Sequence, residues 1–561
     1  MSARSIRRAH ERTSRRRRAR LAGTAAAIAL GTGAALAPGA QAGSFTVTTL
    51  GDAPANACDA SCTLRDAIDA GAADATPDTI TFASGLSGTI ELTQGQLEIY
   101  DETNLQGPGA NAVTVDGNGL DNVFYVRTEP KSARIAGLTV TGGNATKGGG
   151  IYLFDTAPTN STLTVDGVTF TANSASDGGG ALDAAGGNVV VTGARFVNNA
   201  AGDSGGAITG SPLNLSIADS TFAGNISGDD GGAIRVAGSM QSLLIEGSTF
   251  TGNKANNGGA LLLFGPTAAG TIRNSTFTGN TATATGGAID DTNARDVTTQ
   301  LQNSTITGNT AATGGGVYRR GYDDPGQPGD DNLVVSSTII AGNTAGTGPD
   351  IAQGVMPPPP VNGSFIIGNS LIQNPGTAPV TTSAPNLTGV DPRLGPLADN
   401  GGPTQTMLPA AGSPVINAGT SNALATDQRG APRTSGGGTD IGAVELGTVE
   451  GGTINVKTTQ KQKGKKIQIK VKAGADETAV ATASGSISIK GKKKKLMLKT
   501  VSADVGPGSP ATLKLKPTSK KDTKKVVKAL GSGRKAKAKL LVTLSDSFGA
   551  TFEAKPGVKL K

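Results

Sequence analysis

The chain has 561 residues, with 51 Lys and Arg against 43 Asp and Glu, 83 Gly, 28 Pro, two Cys, one His and no Trp. The single histidine, His10, sits in a basic N-terminal leader. A mature chain without that leader has no imidazole for a catalytic triad, a proton shuttle or a zinc site, which excludes hydrolase mechanisms that pair Ser or Cys with His. The formal charge of +8 is an average over unlike parts: residues 1–42 carry nine Arg and one Glu, residues 43–448 sum to −20, and residues 449–561 sum to +20.

Arg4 to Arg20 form a basic stretch, Leu21 to Leu36 are mostly small and apolar, and Ala40-Gln41-Ala42 supplies a small-x-small cleavage pattern. Residues 1–42 are therefore expected to be a secretory signal peptide cleaved after Ala42. No later stretch is long and apolar enough for a spanning helix, so no transmembrane segment is expected in the mature chain. Export to an oxidising compartment gives meaning to Cys58 and Cys62, whose expected state is an intramolecular disulfide, with a pair of free thiols as the alternative.

Between residues 138 and 351 one phrase recurs. An aromatic residue stands at Phe170, Phe196, Phe222, Phe250 and Phe277, with Ile306 in the same place later. Three residues after each comes Asn: Asn173, Asn199, Asn225, Asn253, Asn280 and Asn309. A Gly-Gly-Ala step follows most of them, as at Gly179-Gly180-Ala181 and Gly205-Gly206-Ala207, and degenerate copies sit at 144–151 and 343–351. The Phe-to-Phe intervals are 26, 26, 28 and 27 residues. A fixed period of this length built from short β-prone pieces is the mark of a solenoid. Within one coil, 181–183, 188–192 and 194–197 read as three strands. Stacking coils at about 4.8 Å places each Phe over the next and each Asn over the next. The Phe column then supplies apolar burial, the Asn column satisfies turn backbone, and Gly-Gly provides the positive φ and close approach of a tight corner.

The F-x-x-N and G-G-A-[IL] phrases resemble the repeats of polymorphic outer membrane proteins, which implies a right-handed parallel β-helix of the pectin-lyase-like class. Cys62-Thr63-Leu64-Arg65-Asp66-Ala67-Ile68 resembles the CSLREA motif of secreted β-helix proteins, with Thr63 and Asp66 in place of Ser and Glu. A short helix over 66–70 is expected to cap the first coil. The strings at 391–397, 400–404, 412–416, 427–430 and 440–445 are similar to the choice-of-anchor Q domain. The expected organisation is a signal peptide at 1–42, a CSLREA-like cap and first coils at 43–125, β-helix repeats at 126–390, and a choice-of-anchor Q-like C-terminal end of the solenoid at 391–446. A stretch from Gly346 to Pro385, including Pro357 to Pro360, interrupts the phrase and reads as a loop or irregular coil.

From Gly451 the vocabulary changes. Residues 466–472, 513–516 and 538–544 alternate apolar with polar, mostly Lys, and 519–530 reads as a helix N-capped by Ser519. A small β-sandwich of immunoglobulin-like character is expected over 449–561. Its lysines form either a solvated face or a surface for an anionic partner. With Phe548 and Phe552 its only aromatic residues, base stacking is poorly supported and no specific nucleic acid is expected.

The best carboxylate candidates are Asp177, Asp203 and Asp229, spaced 26 apart. Stacked like charges repel unless they are exposed, protonated or bridged by a cation, which makes them weak Ca²⁺ candidates; no other cofactor is expected. Asp290-Asp291 and Asp323-Asp324, near Arg319-Arg320, form a second acidic and basic neighbourhood. Without Trp and with five Tyr (Tyr100, Tyr125, Tyr152, Tyr318, Tyr322), the chain is poor in sugar platforms. The expected function is non-enzymatic: adhesion, surface structure or polymer binding outside the cell. Its expected partners are an anionic cell-wall polymer, an extracellular polysaccharide, or a host or neighbouring-cell surface. The alternative is a polysaccharide-active lyase or glycoside hydrolase.

Overall fold

The computed structural model describes residues 43–561 apart from 54–56, 73–75, 128–131, 156–160, 239, 266–269, 293–297, 321–331, 355–363, 411, 434–437, 448–451, 463, 476–478, 507 and 547–550. The leader at 1–42, Pro357 to Pro360, Tyr322, Asp323-Asp324 and Phe548 lie outside the described residues.

Residues 44–388 coil into a parallel β-solenoid whose strands stack into four sheets of 13, 12, 6 and 10 strands. We call them A, B, D and C. One coil runs through Asn188–Thr192 in A, Arg195–Val197 in B, Ala200–Ala201 in D and Ile208–Gly210 in C. All three expected strands of a coil are present, in C, A and B. Sheet D is additional: its strands, such as Ser174–Gly178, lie in the Asn-to-Gly-Gly connection, which has turn-like composition and no apolar alternation. There the ladder of neighbouring coils imposes extended backbone on residues with little preference for it.

The inward side chains of A, B and C make one continuous apolar core from Val47 to Ile372. Phe170, Phe196, Phe222, Phe250 and Phe277 are fully buried and stack face to face with centroids 4.8, 4.7, 4.6 and 4.5 Å apart. Ile306 continues the column in register with Phe277. The Asn residues form the second column. Each side-chain amide donates to Oδ1 of the next Asn at 2.9–3.1 Å, from Asn173 through Asn199, Asn225, Asn253, Asn280 and Asn309 to Asn343. The same Oδ1 accepts the preceding Asn backbone N–H, and the second amide hydrogen reaches a carbonyl one coil back, such as Phe196 O from Asn225. At the N-terminal end Gly143 rather than Asn144 holds the ladder position, donating its N–H to Asn173 Oδ1 at 3.1 Å. The Gly-Gly corner needs glycine twice over: Gly205 has φ +63°, and a Cβ on Gly206 would stand 2.2 Å from Gly232 O.

A third ladder escaped the sequence reading. Ser220, Ser248, Ser275, Ser304, Thr338 and Ser370 each accept the backbone N–H of the coil before, at 3.1–3.3 Å. Serine is common throughout the chain, so only the register separates these from turn serines.

The N-terminal end is closed by helix α1, Leu64–Gly71, longer by one or two residues at each end than expected. Thr63 and Asp66 form a reciprocal capping box, so the two departures from the Ser and Glu of the resemblance preserve the cap chemistry. Leu64, Ala67 and Ile68 enter the solenoid core, and the Cys58–Cys62 disulfide staples the approach to the helix. Arg65 ties it down with a bidentate pair to Asp52 at 2.7 and 3.2 Å and bonds to Gly95 O and Gln96 O.

Two expectations about the far end need correction. Of the two readings of 346–385, a loop or an irregular coil, the described parts rule out the loop and extend the coils: Ile351–Gln353, Phe365–Gly368, Leu371–Ile372 and Val380–Thr382 continue sheets C, A, B and A. The phrase is lost there, yet the apolar alternation that feeds the core is kept. The segment 391–446 does not extend the stack. It folds back as a strap along the outward side of sheet B, with Thr404 Oγ1 donating to Gly247 O, 157 residues earlier.

Residues 453–560 form two mainly antiparallel sheets, E with three strands and F with seven, around one apolar core. Helix α2, Lys520–Gly531, is N-capped by Ser519 as expected. Three and seven strands with a helical connection differ from the four-and-three arrangement of an immunoglobulin-like domain.

Candidate functional site

The predicted aspartate column is real in register. Asp203 N–H donates to Asp177 O and Asp229 N–H to Asp203 O, both at 2.9 Å, on the outer edge of sheet D. Asp203 and Asp229 are exposed and Asp177 is half-exposed. The column has neutralising ends: Lys147 Nζ lies 3.8 Å from Asp177 Oδ2, and the Asn256 side-chain amide donates to Asp229 Oδ1 at 3.0 Å. Among the described residues no group of three His, Cys, Asp or Glu side chains is gathered as a metal site.

A different row stands out on the outward side of sheet C. Register places Glu98, Tyr125, Tyr152, Asp183, Thr209, Arg235, Leu262, Asp290 and Tyr318 one above another. Its N-terminal third is aromatic: Tyr100, Tyr125, Tyr152 and Phe154 have centroids 5.8–6.3 Å apart, and Arg127 lies 5.5 Å from the Phe154 ring. The chain's few tyrosines are thus concentrated, three of five on one patch.

Beside this patch Asp183 is 4% exposed. Burial pushes its carboxyl up to about 7, with Lys147 pulling it down and Asp177 adding to the rise. Asp183 and Asp177 are two carboxylates in unlike environments, the first buried and the second half-exposed. Arg235 lies 3.5 Å from Asp230 and leans on the Phe264 ring, which is half exposed.

The second predicted neighbourhood divides across the strand. Asp290 faces outward, where it accepts Thr292 Oγ1–H at 2.6 Å and the Thr285 hydroxyl, and burial raises its pKa. Asp291 takes the alternate, inward position and is register partner to Arg319.

The strap forms a cluster that the sequence did not reveal as such. Arg433 is fully buried, donating to Gly442 O, Asn303 O and Asn274 Oδ1. Asp427 and Arg429 are an entirely buried pair at 2.8 Å, and Asp427 also receives the N–H groups of Arg429, Ala431 and Glu445. Burial lifts Glu445 to about 8 and lowers Arg433 to about 10. Asp427, Arg429 and Glu445 come from the D-Q-R-G and D-I-G-A-V-E strings, and Arg433, which lies between the two strings, bonds the strap to the solenoid. Asn274 and Asn303 occupy the left-handed corner that glycine fills at Gly167, Gly193 and Gly247, and their side chains reach the strap. A signal for the covered face was present. The outward position of sheet B is Thr or Arg in early coils but becomes Ile339 and Leu371, and these pack with Val415 and Ile441 of the strap.

Comparison with known protein families adds one match. Residues 274–290 match the Chlamydia polymorphic membrane protein repeat. That span contains one full phrase, Phe277, Asn280 and Gly286-Gly287-Ala288. No curated protein matches the chain. No helix of the described residues is long and apolar enough to cross a membrane.

Proposed function

We propose that this chain is an exported β-solenoid protein held at a cell surface, acting in adhesion, surface structure or polymer binding, with its lysine-rich C-terminal domain as the electrostatic attachment module. The observation that carries the reading is the coincidence of charge with fold: −20 over residues 43–448, which hold the solenoid and strap, and +20 over residues 449–561, which hold sheets E and F. The polymorphic membrane protein repeat supports a surface location, and the resemblances to the CSLREA and choice-of-anchor Q segments support export. Partners in keeping with this are an anionic cell-wall polymer, an extracellular polysaccharide, or a host or neighbouring-cell surface. Attachment by charge weakens with salt. Cells making the full chain should release it on a high-salt wash, and a chain ending at Leu446 should be found in the medium. Equal retention of the two would sink the attachment role.

One observation favours a second reading, a polysaccharide-active lyase or glycoside hydrolase: the Asp183 and Asp177 carboxylates with split environments beside the Tyr152 patch. A polysaccharide panel assayed with and without Ca²⁺ tests it. Depolymerisation lost on Asp183→Asn would establish it, and loss on Asp203→Ala only when Ca²⁺ is present would assign the aspartate column to the metal.

A further inference from the structure

The outward side of sheet F carries lysines in a two-dimensional array. Pairing across the sheet sets Ser488, Lys537, Lys559 and Thr459 side by side in one row. The next row holds Met497, Ser486, Lys539 and Gly557. In the other direction the sheet continues past its last named pairs. Lys490 N–H donates to Lys535 O at 2.9 Å and Lys561 N–H to Gln460 O at 3.1 Å, which aligns Lys490, Lys535, Lys561 and Lys461 as a third row. All seven lysines are exposed and no residue of these rows is acidic. Neighbours across strands lie about 5 Å apart and those along a strand about 7 Å.

Like charges directly opposite one another destabilise a sheet. Lys537 beside Lys559, and four lysines abreast in the third row, are an arrangement that folding alone disfavours. A bound polyanion relieves it. Of the 27 basic residues in 449–561 only Arg534 is an arginine. Arginine's planar fork pairs bidentately with carboxylate and phosphate alike, whereas lysine acts as a point charge, so an all-lysine face sets no bidentate geometry and takes the single charge of a phosphodiester from any side. Ser488 and Thr459 flank the lysine pair of the first row and Ser486 adjoins Lys539, adding hydroxyl donors beside the charges. None of the three rows contains an aromatic residue on which a base could stack.

We infer that this face of sheet F is a docking surface for a linear polyol phosphodiester polymer of a cell envelope, read by charge spacing rather than by base or sugar identity. The inference rests on the attachment reading and names its partner. The two fail separately: retention on cells tests the domain's role, while binding by purified full-length protein tests this face.

The probe is poly(glycerol phosphate), titrated against the full chain over a range of salt. Binding should weaken linearly in log–log form with salt. The variant Lys535→Gln/Lys537→Gln/Lys559→Gln/Lys561→Gln should lower the magnitude of that slope by about 3 and weaken binding at least tenfold. An equal charge change on sheet E, Lys470→Gln/Lys472→Gln/Lys514→Gln/Lys516→Gln, should leave most of the affinity in place. Circular dichroism establishes that both variants keep the fold, as exposed substitutions should. Equal losses from the two variants would mean that net charge, not this face, does the binding. Polyglutamate of the same charge binding as tightly would overturn the phosphate assignment, and tighter binding of single-stranded DNA would move the target to nucleic acid.

Discussion

Asp350 closes the asparagine ladder: its Oδ1 accepts the Asn343 backbone N–H at 3.2 Å and the Asn343 side-chain amide at 3.0 Å, the place every earlier coil gives to the next Asn. Asp350 Oδ2 in turn accepts the Asn374 N–H at 2.6 Å. The ladder thus ends on a group with spare acceptor capacity and no amide of its own to satisfy. An asparagine there would preserve the two bonds to Asn343 but turn an amide toward Asn374 N–H or leave its own hydrogens unmatched. Asp350→Asn is expected to destabilise the chain by about 1–2 kcal/mol in urea unfolding. No change would mean that the charge at the ladder end is dispensable.

Within the ladder each Asn serves both neighbours. Truncating Asn225 strips Asn199 of its acceptor and leaves Phe196 O without its amide donor, both in a dry interior. Asn225→Ala should cost about 3 kcal/mol or more, since each orphaned buried group costs about 1–3 kcal/mol. Asn214→Ala, which loses a half-buried amide bond to Asn188 and an exposed bond from the Ser242 hydroxyl, should cost less than about 1 kcal/mol. Similar losses at the two positions would show that the ladder is no stronger than a surface contact.

The Phe column makes a graded expectation. Phe222 lies between two rings at 4.7 and 4.6 Å. Phe222→Ala should cost about 3–5 kcal/mol through the cavity it opens. Ile306 already fills this column one coil beyond Phe277, so Phe222→Ile should cost well under half as much. Thermal or urea unfolding of the two variants decides it.

Much of this was legible in the sequence, because a solenoid repeats its constraints. The 26-residue spacing alone places Phe196 over Phe170 and Asn199 over Asn173, and the observed stacking and hydrogen bonds follow from it. Legibility ended wherever the pattern was carried by position rather than residue type. The serine ladder uses a common residue, sheet D has no apolar alternation, and coils beyond Ala345 keep inward apolar residues while discarding the Gly-Gly step. The site was less legible than the fold. Asp177, Asp203 and Asp229 were visible as a spaced set, whereas Asp183 matters because of its burial, which no spacing records. Arg433 meets Asn274 across 159 residues of sequence, a contact that only folding reveals.

That contact makes the strap testable apart from the solenoid. Arg433 is held by three acceptors and surrounded by the carboxylates of Asp427, Asp440 and Glu445. Arg433→Met leaves Gly442 O, Asn303 O and Asn274 Oδ1 without this donor and takes a buried cation from beside Asp440, while Asp427 keeps its pair with Arg429; the change is expected to cost about 3–5 kcal/mol. The loss should fall on the strap, so limited proteolysis should cut first within 391–446 while the fragment carrying the Phe and Asn ladders stays protected. Uniform digestion of the whole chain would mean instead that strap and solenoid unfold as one unit.

Asp183 gives the pH expectation. Its folded pKa of about 7 lies above the ordinary 3.8, so the folded state holds its proton more tightly than the unfolded chain does. The stability this provides is complete below pH 4 and is lost as pH rises through 7, with a ceiling of about 4 kcal/mol. Asp183→Asn keeps the shape without the titration. Relative to the parent chain it should gain stability between pH 5 and 8, and the difference between the two should be flat below pH 4. The difference in urea midpoint measured at each pH reads this directly, since the many other carboxylates titrate in both proteins alike. A difference that stays constant from pH 4 to 8 would show that Asp183 ionises normally in the folded chain.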